Sequence, residues 1–255
     1  MSLFAPLDRL IVAAPDSARV GWLRDWTYAH RGLHSDGVPE NSLAGFALAV
    51  EHGLGIECDI QRSRDGCAML VHDWELDRLT GVSGPTASHS ADELAQIAFL
   101  DSDHKLARLE DLLPVVDGKV PILIEIKSRR GYDVKRSCRA VANTLEAYKG
   151  PYAVMSFDPR VSAWFAQHSP QTVRGLVMRE DEHGMTQKAW QRHVALWAAR
   201  PEFIAYHVAA LPNPMVEGLR SRGMPVLTWT VNSPATRLIG SEHADALIAE
   251  GDGLE

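Results

Sequence analysis

Eight short apolar runs, with helix-like segments between most of them, constrain this chain more than any other feature. They are TYAH at 27–30, GIECDI at 55–60, PILIEIK at 121–127, YAVMSF at 152–157, VRGLVM at 173–178, EFIAYHV at 202–208, PVLTWTV at 225–231 and ADALIA at 244–249. Each has the length of a strand and is apolar enough to be covered on both faces, as strands of a parallel sheet are. The segments 42–52, 109–116, 133–148, 159–167, 187–198, 215–222 and 234–239 read as helices, with Pro, Ser or Asp at several starts and Gly after several ends. Eight buried strands alternating with helices in 255 residues match an α/β fold, the (β/α)8 TIM barrel. An open doubly wound sheet is the runner-up, but no GxGxxG follows the first strand. A single barrel domain over residues 1–255 is expected.

One piece departs from simple alternation. In IECDIQRSRDGCAMLVHD a second strand-like run, 67–72, begins only a few residues after the one before it. A parallel crossover needs a dozen residues or more, so the two runs must form an antiparallel hairpin turning at Asp65-Gly66. The returning end, His72-Asp73, then lies beside Glu57 and Asp59. Residues 74–107 follow as an insertion after the second barrel strand and its hairpin, too short for a core of its own and placed over the strand C-termini, where barrel enzymes build their sites. Residues 17–26 read as an amphipathic helix with Val20, Leu23 and Trp26 on one side, expected to cover the barrel floor or the gap left by the short chain after the eighth strand.

Residues two apart on a strand share a face. In PILIEIK, Ile122, Ile124 and Ile126 face the helices while Leu123, Glu125 and Lys127 face inward; in GIECDI, Ile56, Cys58 and Ile60 face outward while Glu57 and Asp59 face inward. Three converging buried carboxylates cost several kcal/mol each unless a cation lies among them. Lys127 brings one positive charge, and a metal ion bound by Glu57, Asp59 and Glu125 would bring the rest. An all-carboxylate set suits a hard cation, Mg2+ or Ca2+, one per site. The alternative is an ion-pair network that only keeps the barrel mouth in register. His30 and His72 each end a strand, and two histidines converging on such a cluster suit an acid-base pair. The planar fork of Arg31 suits a phosphate oxygen.

Composition narrows the partners. The formal net charge is -7 and the 26 basic residues are spread along the chain, which argues against nucleic acid as a partner. No apolar run approaches the roughly 18 residues needed to span a bilayer, and Asp8 and Arg9 interrupt the N-terminal apolar stretch, which has no basic segment before it. A cytoplasmic protein without stable membrane insertion is expected. Cys58, Cys67 and Cys138 form an odd set without CxxC spacing and read as reduced core thiols.

AHRG, PENS, IECD followed by RDG and LVHD, then LDRLTG, ARLEDLL, LIEIK, MSFDP and TWTVN, in this order and spacing over about residues 27–249, resemble the glycerophosphodiester phosphodiesterases, a branch of the phosphatidylinositol phospholipase C-like superfamily. The resemblance implies a metal-dependent hydrolase that cleaves small glycerophosphodiesters to sn-glycerol 3-phosphate and an alcohol, in lipid and glycerol metabolism. It matches Glu57, Asp59 and Glu125 to metal ligands, His30 and His72 to the acid-base pair, and Arg31 and Lys127 to phosphate-facing positions. Glu40 matches a carboxylate beside the metal, Phe157 and Trp229 match aromatics at the barrel mouth, and Asn41 and Ser42 are expected to cap the first barrel helix. It further implies that the glycerol 2-hydroxyl, deprotonated with help from one histidine, attacks phosphorus, that the other histidine protonates the leaving alcohol, and that water opens a cyclic phosphate. Ser42 and Cys58 replace commoner family residues, and ADALIAEGDGLE lacks the usual Thr-Asp-Arg-Pro-like ending. A sister activity on lysophospholipids, phospholipase D-like, and a catalytically silent phosphodiester-binding barrel are the alternatives.

Overall fold

The apolar runs, the hairpin's second strand included, become strands within two residues of their sequence limits. In the computed structural model, which describes residues 4–255, β1 is Thr27–Ala29, β2 Gly55–Arg62, β3 Ala68–Leu70, β4 Ile122–Ile126, β5 Tyr152–Ser156, β6 Val173–Met178, β7 Phe203–His207, β8 Val226–Val231 and β9 Ala246–Ala249. Helices Leu43–Glu51, Leu109–Val116, Val134–Leu145, Pro159–His168, Ala189–Ala199, Pro214–Arg220 and Pro234–His243 separate them. With β3 set aside as the return arm of a hairpin, this is the (β/α)8 barrel. By its packing the chain divides into two compact units, 29–152 and 4–28 with 153–255. No described helix is long and apolar enough to cross a membrane.

In the 29–152 unit, β2 and β4 run parallel, with Ile56, Cys58 and Ile60 paired to Ile122, Ile124 and Ile126, and Asp59 to Glu125. The three isoleucine-rich positions of each strand are at most 2% exposed. Each fully buried aliphatic side chain contributes about 1.5–3 kcal/mol, which offsets the cost of setting carboxylates on the opposite face. β2 and β3 form the expected antiparallel hairpin, Ile60 opposite Leu70 and Arg62 opposite Ala68. Gly66 makes the turn at φ 102°, a conformation that L side chains rarely adopt. Residues 74–107 hold two one-turn helices, Asp77–Thr80 and Ala91–Leu94. Leu76, Ala91, Leu94, Phe99 and Leu106 pack on Met69 and Val71 of the hairpin, so the insertion borrows its core from the arm it follows.

The other unit carries β5 to β9 as parallel neighbours in chain order. Leu176, Ile204, Tyr206, Leu196, Val216 and Leu219 are among its buried core. The helix expected over 17–26 is shorter: an α-helix over Ser17–Val20, capped by the Asp16 side chain, passes into a 3-10 turn over Gly21–Arg24, with Val20 and Leu23 buried as expected. A second helix, Ala5–Ile11, lies before it, started by Pro6 and tied down where buried Asp8 accepts from Trp197 Nε1 at 2.8 Å and pairs with His193 Nδ1 at 2.9 Å.

All three cysteines are free. Cys58 and Cys138 are buried, but Cys67, expected in the core with them, is exposed, because it follows the hairpin turn directly and precedes the paired residues of β3.

Candidate active site

The carboxylates gather because two strands present them side by side. Glu57 and Asp59 occupy alternate positions of β2, Glu125 pairs with Asp59 across the parallel ladder, and one oxygen from each of the three lies within 4.8 Å of the others. Glu57 and Asp59 are 2% exposed and Glu125 7%. Burial combined with the charges of Asp59 and Glu125 pushes the Glu57 carboxyl well above the usual glutamate range. Burial would also raise Asp59, but Lys127, His72 and Arg31 outweigh it and hold that carboxyl far below its ordinary value.

The basic groups bind directly to this cluster. Lys127 Nζ bridges Asp59 Oδ1 and Glu125 Oε1, both at 2.8 Å, and these neighbours overcome its burial to raise its pKa. Arg31 Nε lies 3.1 Å from Asp59 Oδ2, and its Nη1 donates to Glu40 Oε1 at 2.9 Å. Lys127 keeps one of its three N-H donors beyond these two contacts, and Arg31 keeps Nη2, so each retains capacity for an anion. The cations do not match the carboxylates: Glu57 accepts the Arg31 backbone N-H at 3.0 Å, while Lys127 and the Arg31 side chain bind the other acids. The buried, hard-oxygen, charge-deficient set fits a divalent cation held by Glu57, Asp59 and Glu125.

HRG and PENS fold into one bracket around these acids. Arg31 at φ 56° and Asn41 at φ 54° are both left-handed, and the Asn41 N-H donates to the Arg31 carbonyl at 2.9 Å. Gly32 must be glycine: its φ is +83°, and a Cβ there would lie 3.0 Å from the Gly45 backbone and the Phe46 ring. Ser42 caps Leu43–Glu51 as expected, accepting from Gly45 N at 3.1 Å. Asn41 does not share that task. Its Nδ2 donates to Asp59 Oδ2 and its Oδ1 accepts from Asp59 N, both at 3.0 Å, because the left-handed backbone turns the side chain away from the helix and onto β2.

The hairpin returns His72 to the same place. Val71 N donates to the Asp59 carbonyl at 3.1 Å, and Gln61, the next inward residue of β2, donates from Nε2 to the His72 carbonyl at 2.9 Å and also to that of Asp73. His72 Nδ1 lies 2.6 Å from Asp73 Oδ1. That carboxylate draws the ring proton to Nδ1 and leaves Nε2 to exchange a proton with a bound molecule. Burial, followed by Lys127 and Arg31 against the pull of Asp59 and Asp73, lowers the His72 pKa and so favours the neutral ring. Arg78 then closes the chain of contacts, donating from Nε to Asp73 and from Nη2 to Glu40 Oε1 at 2.7 Å. Glu40 is thus clamped between Arg31 and Arg78. His30 is half-buried, directly after β1 and directly before Arg31.

Gln61, Asn41, Asp73 and Arg78 escaped sequence reasoning. Period-two alternation in β2 could have found Gln61; Asn41 and Arg78 reach Asp59 and Glu40 across 18 and 38 positions, and Asp73 stands among them between two local partners, His72 and Arg78. In the 153–255 part of the chain, Phe157 and Trp229 meet edge to face at 5.3 Å, with His207 5.0 Å from the indole and Arg179 over it at 5.6 Å.

Residues 30–254 match the glycerophosphoryl diester phosphodiesterase family. A Mycobacterium tuberculosis protein named "Probable glycerophosphodiester phosphodiesterase 1" is 38% identical over 227 residues, 80% of this chain and 81% of that one. A glycerophosphodiester phosphodiesterase of Caldanaerobacter subterraneus is 27% identical over 80% of this chain and 84% of its own length. Among solved structures, an Oleispira antarctica phosphodiesterase in complex with the product sn-glycerol-3-phosphate superposes with a TM-score of 0.76 at 23% identity, covering 88% of this chain and 92% of that one. The glycerophosphodiester phosphodiesterase of Thermotoga maritima gives 0.72 at 25% identity, covering 88% and 93%. With its barrel and with this match over nearly the whole length, the chain belongs to the glycerophosphoryl diester phosphodiesterase family of phosphoric diester hydrolases.

Proposed function

We propose that this protein hydrolyses glycerophosphodiesters to sn-glycerol 3-phosphate and an alcohol, with a divalent cation, Mg2+ or Ca2+, at Glu57, Asp59 and Glu125 and with His72 and His30 as the acid-base pair. The observation that carries it is the buried carboxylate trio with a carboxylate-oriented histidine returned beside it by the hairpin. Family membership and the product-bound structural neighbour support the substrate class. The cation, when bound, supplies Lewis-acid polarisation of the phosphate and of the attacking hydroxyl.

The residues divide the remaining work. Arg31 and Lys127 hold phosphate oxygens with the donors that their carboxylate partners leave over. His72 moves a proton at Nε2, its lowered pKa favouring the neutral base and its hydrogen bond to Asp73 steadying the cation that forms. His30, at the end of β1, serves as its counterpart. Glu40 holds the Arg31 fork in place rather than binding the metal itself. Phe157 and Trp229 are assigned to the glycerol or the alcohol on the family resemblance alone. The three free cysteines support a cytoplasmic, reducing setting.

The test is release of glycerol 3-phosphate from purified protein with glycerophosphocholine, glycerophosphoethanolamine and glycerophosphoglycerol, with and without chelator. Release abolished by chelator and restored by a divalent cation is the expected result. No release from any headgroup with Mg2+, Ca2+ or Mn2+ refutes the reading.

A further inference from the structure

A cationic stack forms between the end of β2 and two loops that leave the site. Arg129 Cζ lies 4.4 Å from the centroid of the Trp74 ring, Trp74 meets Tyr132 edge to face at 5.2 Å, and Arg62 Cζ lies 5.3 Å over Tyr132. The two loops that meet here are the two that carry the chemistry: Trp74 follows Asp73, the partner of His72, and Arg129 follows Lys127 by two residues. Two residues of extended chain span at most about 7 Å, so the backbone that carries Arg129 stays within that reach of Lys127.

The stack is unneutralised. Among the described residues no carboxylate lies within ion-pair distance of Arg62, Arg129 or Arg130, whereas Arg31 and Arg78 in the same unit are each paired with acids. On a chain of net charge -7, residues 127–139 hold six basic side chains, Lys127, Arg129, Arg130, Lys135, Arg136 and Arg139, against Asp133 alone. The Tyr132 hydroxyl is buried without a hydrogen-bond partner. A guanidinium laid on an indole loses rotational freedom to the ring while its in-plane N-H groups stay available. Such a fork is prepared for an anion.

We propose that Arg129, held by Trp74 and backed by Tyr132 and Arg62, forms the subsite for the alcohol portion of the diester and selects alcohols that carry a second anionic group. This rests on the glycerophosphodiester reading of the site and names the substrates within it. Arg129 supplies a charge-assisted bond to a phosphate or carboxylate on the leaving alcohol, and a quaternary ammonium headgroup meets like charge there.

The experiment is a matched pair, glycerophosphoinositol and glycerophosphoinositol 4-phosphate, with glycerophosphocholine as a third substrate, assayed by glycerol 3-phosphate release. The wild type is expected to favour the phosphorylated member in kcat/KM by about tenfold or more. Arg129→Ala should erase most of that preference by raising KM for the phosphorylated member alone, with kcat on all three substrates unchanged. Arg129→Lys, which keeps the charge but not the flat fork, should retain part of it. Equal kcat/KM for the matched pair in the wild type, or an equal loss on all three substrates in Arg129→Ala, overturns the subsite while the activity stands. Failure to hydrolyse any of the three, and glycerophosphoethanolamine and glycerophosphoglycerol as well, with Mg2+, Ca2+ or Mn2+ overturns the parent reading, and the subsite with it.

Discussion

Asn41 and Asp59 exchange two hydrogen bonds, amide N-H to carboxylate and backbone N-H to amide carbonyl, each 3.0 Å long. The exchange fixes both the strand and the acid that it presents. Asn41→Gly keeps access to the left-handed backbone but removes both bonds. It should weaken divalent-cation affinity by about 10- to 100-fold, the usual cost of losing a residue that orients a ligand. Isothermal titration with Mg2+ and Ca2+ measures this, with circular dichroism as the check on folding. Unchanged affinity would mean that Asp59 is oriented by other contacts.

Glu57 is the acid whose ionisation the metal-free fold opposes most. Its folded pKa lies above its unfolded value, so the folded state binds the extra proton and stability falls as pH rises through that window. Glu57→Gln should therefore raise the melting temperature of the chelated protein at pH 7 while greatly lowering its activity. Adding the divalent cation should reverse the ranking, stabilising wild type far more than the variant. Equal melting temperatures under chelator would show that Glu57 is not strained.

Lys127 is the counter-ion of Asp59 and Glu125 in the metal-free protein. Removing one partner of a buried ionic cluster typically costs about 3–5 kcal/mol. Lys127→Met should show a loss of that order by urea unfolding in chelator, and a smaller one in saturating divalent cation, which takes over part of the neutralisation. Equal losses under both conditions would contradict a shared electrostatic role.

His72 and Asp73 can be separated by their pH behaviour. His72→Ala should cost about 10² to 10⁴ in kcat, the usual worth of a positioned acid or base. Asp73→Asn should cost less and move the acid limb of the pH-rate profile to lower pH, because the Asp73 carboxylate is one of the groups raising the His72 pKa against its burial. A shift to higher pH would show that another group sets that limb.

Glu40 and Asp73 are both held below their ordinary values: burial would raise each, but the Arg78 hydrogen bond and the neighbouring cations more than compensate. A depressed carboxylate stabilises the fold above its unfolded pKa and loses that contribution as pH falls through the folded value. Arg78→Ala should then be less stable than wild type at pH 7 and converge on it toward pH 3. Urea unfolding at the two pH values checks this; a gap that persists in acid points to lost packing instead.

The barrel, its hairpin and the identity of the carboxylate trio were legible in the sequence because they rest on short periodicities. Apolar runs of four to seven residues, alternating with helix-like segments, read as buried strands, and alternation alone aims Glu57, Asp59 and Glu125 inward. Only the tertiary structure decided what holds those acids. Asn41 reads locally as a helix cap, yet a positive φ turns it onto Asp59, and neither Asp73 nor Arg78 carries a local signal that it joins His72 to Glu40. Cys67 is exposed for the converse reason, since its apolar surroundings in sequence end at the hairpin turn. Periodicity is written into neighbouring residues, whereas the contacts that hold Asp59 and Glu40 join side chains 18 and 38 positions apart, and those distances close only when the chain folds.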